Sequence, residues 1–229
     1  MTQNTFLVAT LKRWNIQAYH DVIKHYPGHW QLITSPGELT VETLETLQPN
    51  YIFFPHWSHI VSEEILNRFT CIGFHETDLP YGRGGSPIQN LIASGHHETV
   101  ISAIRMNAEI DAGDIYLKRP LSLQGLGEEI YIRAAHIVAA MIREIIDTPP
   151  RPQKQQGTIT HFQRRQPQQS EIPATMNSLM QVFDHIRMLD ADGYPPAYIE
   201  HGEFKLEFSR PSLKTDHLIT DVRVSFKKS

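Results

Sequence analysis

One cysteine in 229 residues, Cys71, excludes an intramolecular disulfide and leaves too few thiols for a cysteine-built metal site. Such sparse cysteine use fits a reducing compartment, and Cys71 itself lies in an apolar run that predicts a buried strand. No apolar run approaches transmembrane length, and the polar start, Met1 to Thr5, has no signal-peptide core. The expected location is therefore the cytoplasm, with no membrane partner. No Gly-x-Gly-x-x-Gly follows the first apolar run, which removes the dinucleotide fingerprint. A formal charge of −4 supplies no electrostatic footprint for nucleic acid and argues against a large polyanionic substrate. His96 and His97 are adjacent rather than at zinc-ligand spacing, so no metal is expected.

What is present is globular: 40% hydrophobic and 20% charged residues argue against disorder, and the length suffices for a sizeable core. Phe6 to Ala9, Trp30 to Thr34, Tyr51 to Phe54 and Thr70 to Phe74 read as strands. Helical patterns separate them: Ile16 to Tyr26, Thr40 to Leu47 with Thr40 as cap, and a Ser62-capped segment. Strands alternating with helices predict an α/β fold with a mainly parallel sheet covered on both faces. Further on, Pro87 to Ala93 is helical, Thr99 to Met106 and Ile115 to Leu123 are strands, and Gly127 to Ile146 is the longest amphipathic helix. The residues from 151 to 169, rich in Pro, Gln and Arg, read as an extended or partly mobile arm. Met180 to Leu189 predicts a helix, and Lys205 to Phe208 with Leu218 to Phe226 predict a small antiparallel sheet. These features divide the chain into a main α/β region, 1–150, and an arm with a small β-rich C-terminal region, 151–229.

The stretch that organises the chain is Cys71 to Pro87. It opens as an apolar strand, carries His75 at the strand's carboxyl end, places Arg83 in a glycine-rich turn and starts a helix at Pro87. Open α/β sheets collect ligands at that end of their strands.

His75 to Pro87 spells His-x-x-x-Leu-Pro-x-x-Arg-Gly-x-x-Pro, and Asp111-Ala-Gly follows a further strand. Together they resemble the 10-formyltetrahydrofolate-dependent formyltransferases, and Phe162-x-Arg-Arg-x-Pro with the Ile186-to-Pro195 tail extends the likeness over roughly 51–208. The resemblance implies a Rossmann-like formyltransferase fold and transfer of a formyl group from 10-formyltetrahydrofolate to an amine. It implies His75 and Asp111 as the catalytic pair: the imidazole exchanges protons near neutrality, and the carboxylate orients it or takes the amine's proton through water. The family usually carries asparagine where this chain has Gly73. Another group must then supply that donor, with Asn107 and Asn90 as nearby candidates, or the site works with His75, Asp111 and water.

By the same matching, Trp57, Ser58, His59 and Ile60 form one wall of the folate site, and Met106, Asn107, Glu109 and Ile110 the other. Arg83 is expected to brace its loop and, with Phe74, Gly84 and Gly85, to border the substrate. Lys12 and Arg13 follow the first strand, where small-substrate members bind phosphate, and Arg164 and Arg165 could meet a nucleotide diphosphate. The Asp78-to-Pro87 segment and the Arg187-Met-Leu-Asp tail most resemble formyltransferases of deoxyamino-sugar and pseudaminic-acid-type pathways, which implies a nucleotide-linked amino sugar as partner. Two alternatives stay open: another amine (nucleotide, amino acid or peptide-bound), and an inactive folate- or sugar-nucleotide-binding relative. The strand-rich tail and family habit point to a homodimer.

Overall fold

Leu7 to Ala9, Ile52 to Phe54 and Cys71 to Phe74 are buried without interruption. Such runs, rather than an in-out alternation, mark strands covered on both faces, as parallel sheets are. A computed structural model describes residues 4–227. Its main sheet has six strands in the order β2-β1-β3-β4-β6-β7. These are β1 (Thr5–Ala9), β2 (His29–Ile33), β3 (Tyr51–Pro55), β4 (Cys71–His75), β6 (Glu98–Arg105) and β7 (Ile115–Ser122). A two-residue strand, β5 (Arg83–Gly84), precedes β6. β1 pairs in parallel with β2 and β3, and β3 with β4, whereas β6 runs antiparallel to β4 with His75 opposite Ser102. The mainly parallel α/β expectation holds, with this antiparallel step beside the strand that carries His75.

Packing divides the chain into two units that interleave in sequence. One comprises Met1–Gly84, Thr99–Leu121 and Ile132–His161; the other comprises Gly85–Glu98, Ser122–Tyr131 and Phe162–Ser229.

In the first unit, α1 (Arg13–Asp21) begins earlier than the expected Ile16 and has no side-chain cap. Thr10, a residue type that caps helices well, instead donates its hydroxyl to the Pro55 carbonyl (2.7 Å) and ties β1 to β3. α2 (Val41–Leu47) and α3 (Glu63–Arg68) start as the sequence predicts: the Thr40 and Ser62 hydroxyls accept from the Thr43 and Ile65 N–H groups. Cys71 is buried and packs with Leu7, Ile52, Phe54 and Ile65. Burial pushes its thiol up to about 12, so it serves as a small hydrophobe. The 151–161 stretch, expected to be extended or partly mobile, is an extended strap. Gln153 exchanges both backbone hydrogen bonds with Ile115 (2.7 and 2.9 Å), and the Thr160 N–H reaches the Pro80 carbonyl.

The second unit holds α4 (Pro87–Ala93), residues 127–131 of α5 (Gly127–Asp147), Phe162 of the short strand β8 (His161–Phe162) and α6 (Leu179–Arg187). α6 is capped by Ser178, whose hydroxyl accepts from Gln181. A three-stranded antiparallel sheet, order β11-β10-β9, consists of β9 (Ala197–His201), β10 (Phe204–Leu213) and β11 (Leu218–Phe226). Arg187 is buried: Nε meets Asp184 (2.6 Å) and Nη1 donates to the Leu123 and Gly125 carbonyls (2.6 and 2.9 Å). That part of the tail motif is an internal staple of this unit. No helix among the described residues is long and apolar enough to cross a membrane.

Candidate active site

β4 ends at His75, where its buried run meets the loops at the carboxyl edge of the sheet. His75 Nε2 lies 2.8 Å from the Gly82 carbonyl. A carbonyl only accepts, so Nε2 carries the hydrogen and Nδ1 is the nitrogen left to exchange protons. Nδ1 faces Asp111 Oδ2 at 3.6 Å. Gly82 is itself fixed, its N–H donating to the Thr160 hydroxyl at 2.7 Å.

Asp111 sits in the left-handed region, φ 54°, in the turn between β6 and β7. Asp tolerates that region better than most residues because its short polar side chain bonds locally. Here Oδ2 accepts from the Gly84 N–H (2.9 Å) and the main-chain carbonyl accepts from Gln155 Nε2 (2.7 Å). Gly113 completes Asp-x-Gly for a steric reason: a Cβ there would lie 1.6 Å from the Arg105 carbonyl oxygen.

Arg83 is buried and fully used. Its Nε and Nη2 donate to Gln155 Oε1 (3.1 and 2.9 Å) and Nη1 meets Glu109 Oε1 (2.8 Å). These contacts form a brace of the kind expected of Arg83. Glu109, expected on a folate wall, is the brace's outer partner. Gln155 is the member that the sequence concealed: it joins Arg83 to the Asp111 and Gly113 carbonyls. Its only sequence signal is a Gln after Pro152-Gln153-Lys154, in a stretch whose composition reads as linker.

Gly73 leaves no amide donor two residues before His75. A Cβ at Gly73 would come within 3.2 Å of Met106 Cγ and 3.4 Å of its Sδ, so the thioether chain occupies the neighbouring space. Neither asparagine candidate fills the gap. Asn107 is exposed and its Oδ1 accepts from the Glu109 N–H; Asn90, in the second unit, donates Nδ2 to the Gly85 and Gln163 carbonyls.

The expected folate walls are loops after β3 and β6. Trp57 and Met106 pack against one apolar cluster with Phe54 and Cys71. The Trp57 indole N–H is buried without a hydrogen-bond partner. Such an orphan donor costs about 1–3 kcal/mol, which an acceptor on a ligand would recover. Ile60 and Ile110, 95% and 70% exposed, are apolar side chains held out to solvent on these two loops. Ser58 and His59 are exposed beside them, the His59 ring edge-on to Trp57. An orphan donor, a flat indole and two unsatisfied aliphatic groups suit a pterin, which is planar and rich in acceptors.

Other expected positions fall elsewhere. Phe74 is buried, its ring 6.4 Å from that of Phe53. Lys12 precedes α1 with its ammonium 5.6 Å from the Trp14 ring centroid, and Arg13 is exposed at the first position of that helix. Gly85 belongs to the second unit, where a Cβ would strike the Arg164 main chain at 2.6 Å. Arg165 donates to the Gln169 carbonyl, and burial lowers the proton affinity of its guanidinium. Among the described residues no group of three His, Cys, Asp or Glu side chains could hold a metal ion.

Glu76, next to His75, is a carboxyl that the sequence did not single out. It is buried, and desolvation raises its pKa above the ordinary carboxylate value, only partly offset by His75. A group raised in the folded state contributes stability that is complete below its unfolded pKa and is lost as pH climbs through the folded one. Glu76→Gln is therefore expected to melt higher than the parent at pH 8 and to lose that advantage at pH 4, read by calorimetry. An advantage that is constant with pH would mean that Glu76 is not protonated on folding.

The formyl transferase family model matches residues 21–125, and the C-terminal domain model of methionyl-tRNA formyltransferase matches 167–225. A structure of methionyl-tRNA formyltransferase from Clostridium thermocellum is 47% identical, covers 98% of this chain and 100% of its own, and superposes with a TM-score of 0.94. Methionyl-tRNA formyltransferase of Francisella tularensis is 26% identical over 211 residues, 86% of this chain. The chain spans 66% of the length of that relative. A sugar N-formyltransferase from a Shewanella species covers 99% of both chains at 14% identity and a TM-score of 0.63, a likeness of fold alone. The sugar branch, which the sequence motifs favoured, is thus the more distant neighbour. The chain belongs to the folate-dependent formyltransferase family.

Proposed function

We propose that this protein transfers the formyl group of 10-formyltetrahydrofolate to a primary amine, and that the amine is the α-amine of an aminoacyl or amino-acid-like acceptor. The observation that carries the reaction is His75 with Nε2 committed to Gly82 and Nδ1 facing Asp111. The folate donor would lie between the Trp57–Ile60 and Met106–Ile110 loops, where it supplies an activated formyl carbon. Nδ1 takes the proton that the amine must lose, and the Asp111 carboxylate then stands beside the imidazolium and favours it. The same protonated Nδ1 is a hydrogen-bond donor for the oxygen that gains charge at the formyl carbon, and as the bond from that carbon to the folate N10 breaks, the proton passes to the leaving N10. With Gly73 and Met106 in place of an amide, the site works with one such donor fewer, a deficit of roughly 10²–10³ in rate where it has no substitute.

The acceptor class rests on the 47% identical relative and on the family of the C-terminal domain. A formal charge of −4 weighs against a large polyanionic acceptor and keeps a second reading in play, the amine of a nucleotide-activated amino sugar. The decisive experiment incubates the protein with 10-formyltetrahydrofolate and a panel of methionyl-tRNA, free amino acids, short peptides and nucleotide amino sugars, with product read by mass spectrometry. Formylation confined to an aminoacyl, amino-acid or peptide amine is the expected result. A product only on the sugars would overturn the acceptor class, and no folate binding by calorimetry would overturn the reaction.

A further inference from the structure

Gly82 does more in this site than close a turn. Its φ of 72° lies in the left-handed region, and with no side chain the two peptide planes that meet at its Cα rotate at little steric cost. One of those planes faces His75. The peptide joining Gly82 to Arg83 presents its carbonyl to Nε2 at 2.8 Å, and the buried Thr77 hydroxyl donates weakly to the same oxygen at 3.5 Å. A trans peptide is planar, so its N–H points the opposite way. There the Arg83 N–H donates to the Thr160 carbonyl at 3.0 Å. The preceding plane is held by the same residue, the Gly82 N–H donating to the Thr160 hydroxyl at 2.7 Å. The Thr160 N–H completes the clamp on the Pro80 carbonyl at 3.3 Å.

These planes decide where the imidazole keeps its hydrogen. A neutral imidazole carries a single N–H, and two acceptors compete for it. One is the Gly82 carbonyl at Nε2; the other is Asp111 Oδ2, 3.6 Å from Nδ1. With the carbonyl inward, the hydrogen stays on Nε2 and Nδ1 keeps its lone pair. Were the Gly82–Arg83 peptide to turn over, an N–H would face Nε2 in place of the carbonyl. Nε2 would then accept, and the hydrogen would sit on Nδ1 against Asp111. No lone pair would remain on that side to take an amine's proton. A carboxylate beside Nδ1 favours this second state, as it does in a Ser-His-Asp triad. The working tautomer is therefore held against the pull of Asp111.

We propose that Thr160 is a positioning residue of the active site. By pinning the peptides on both sides of Gly82, it keeps the carbonyl inward and the neutral imidazole in its Nε2–H form. This rests on the acid–base role given to His75 above and adds to it a residue that acts only through Gly82.

The test reads the hydrogen and the rate separately. Heteronuclear NMR of the ring nitrogens is recorded on the full chain at a pH where His75 is neutral, with His75→Ala identifying its signals. The parent is expected to carry the hydrogen on Nε2. Thr160→Val, which has no hydroxyl to accept from Gly82, is expected to shift a measurable share of it to Nδ1. The same variant is expected to lose about tenfold or more in kcat, with folate affinity within about twofold of the parent. Thr160→Ser returns the hydroxyl and is expected to restore both tautomer and rate, and melting temperature serves as the folding control. A parent with the hydrogen on Nδ1 would overturn the proposal. So would a Thr160→Val that loses rate with its tautomer unchanged, or one that changes tautomer at the parental rate. The spectrum needs no substrate, so a failure here is separate from a failure of the formyl-transfer panel.

Discussion

Asp111→Ala is expected to lower formyl-transfer turnover by at least about 10², with folate affinity changed by no more than a few-fold. The reason is the number of places where Asp111 acts through one oxygen. Oδ2 holds the Gly84 N–H at 2.9 Å and stands 3.6 Å from His75 Nδ1. Alanine removes both, so Nδ1 loses its carboxylate neighbour, while Trp57 and the loop after β3 lie outside the change. Asp111→Asn separates the two roles: its amide oxygen can still accept from Gly84, but its charge is gone. A rate near that of Asp111→Ala would assign the effect to charge, and a rate near the parent would assign it to loop position. His75→Ala should cost as much, and the double variant little more, because groups that work as a unit are not additive. Single-turnover assays with calorimetric folate titration decide the matter. Parental rates in both single variants would remove the catalytic assignment.

The second large effect is structural. Gly113→Ala is expected to destabilise the fold by about 3 kcal/mol or more, at the upper end of what overpacking costs. For a chain of this size that is a fall of about 6–12 °C in melting temperature. The added methyl would sit 1.6 Å from a main-chain oxygen, Arg105, so no change of rotamer relieves it and the β6–β7 turn must open. Opening moves the Gly113 and Asp111 carbonyls away from Gln155, and activity is expected to fall along with stability. Gly37→Ala is the control, because only the Ser35 hydroxyl lies near the added methyl, at 3.9 Å. Equal melting curves for the two variants would sink the argument from close approach.

His75, Asp111 and Gly113 stood out in the sequence through the formyltransferase motif they spell, and the structure shows the local demand each meets: the end of a buried strand, a left-handed turn position and a close backbone approach. The parallel sheet was legible for a similar reason, since its central strands are uninterrupted apolar runs. Phe74 was expected at the substrate border because it stands beside His75, whereas in the structure its ring packs near Phe53. The absence of an asparagine was visible at Gly73, but its consequence was not. Met106, which fills that space, is 33 positions away and reads as ordinary apolar sequence. Gln155 was hidden by its neighbours, since a stretch of Pro, Gln and Arg has the composition of a linker whatever one of its side chains does. Glu76 was passed over because a charged residue in a loop is normally solvated, and only the folded structure shows it buried.

The Gln155 strap carries a consequence for the order of synthesis. A ribosome adds residues from the N-terminus, and domains begin to organise as they emerge. A nascent chain that has emerged only as far as residue 120 already holds His75, Arg83, Asp111 and Gly113. It lacks the Gln155 amide that locks Arg83 to the turn and the Thr160 hydroxyl that fixes Gly82, the partner of His75. The Gly82 partner of the imidazole is therefore tied down only when the strap closes, about fifty residues after Asp111 has been made, and a truncated translation product would carry the whole motif without those ties.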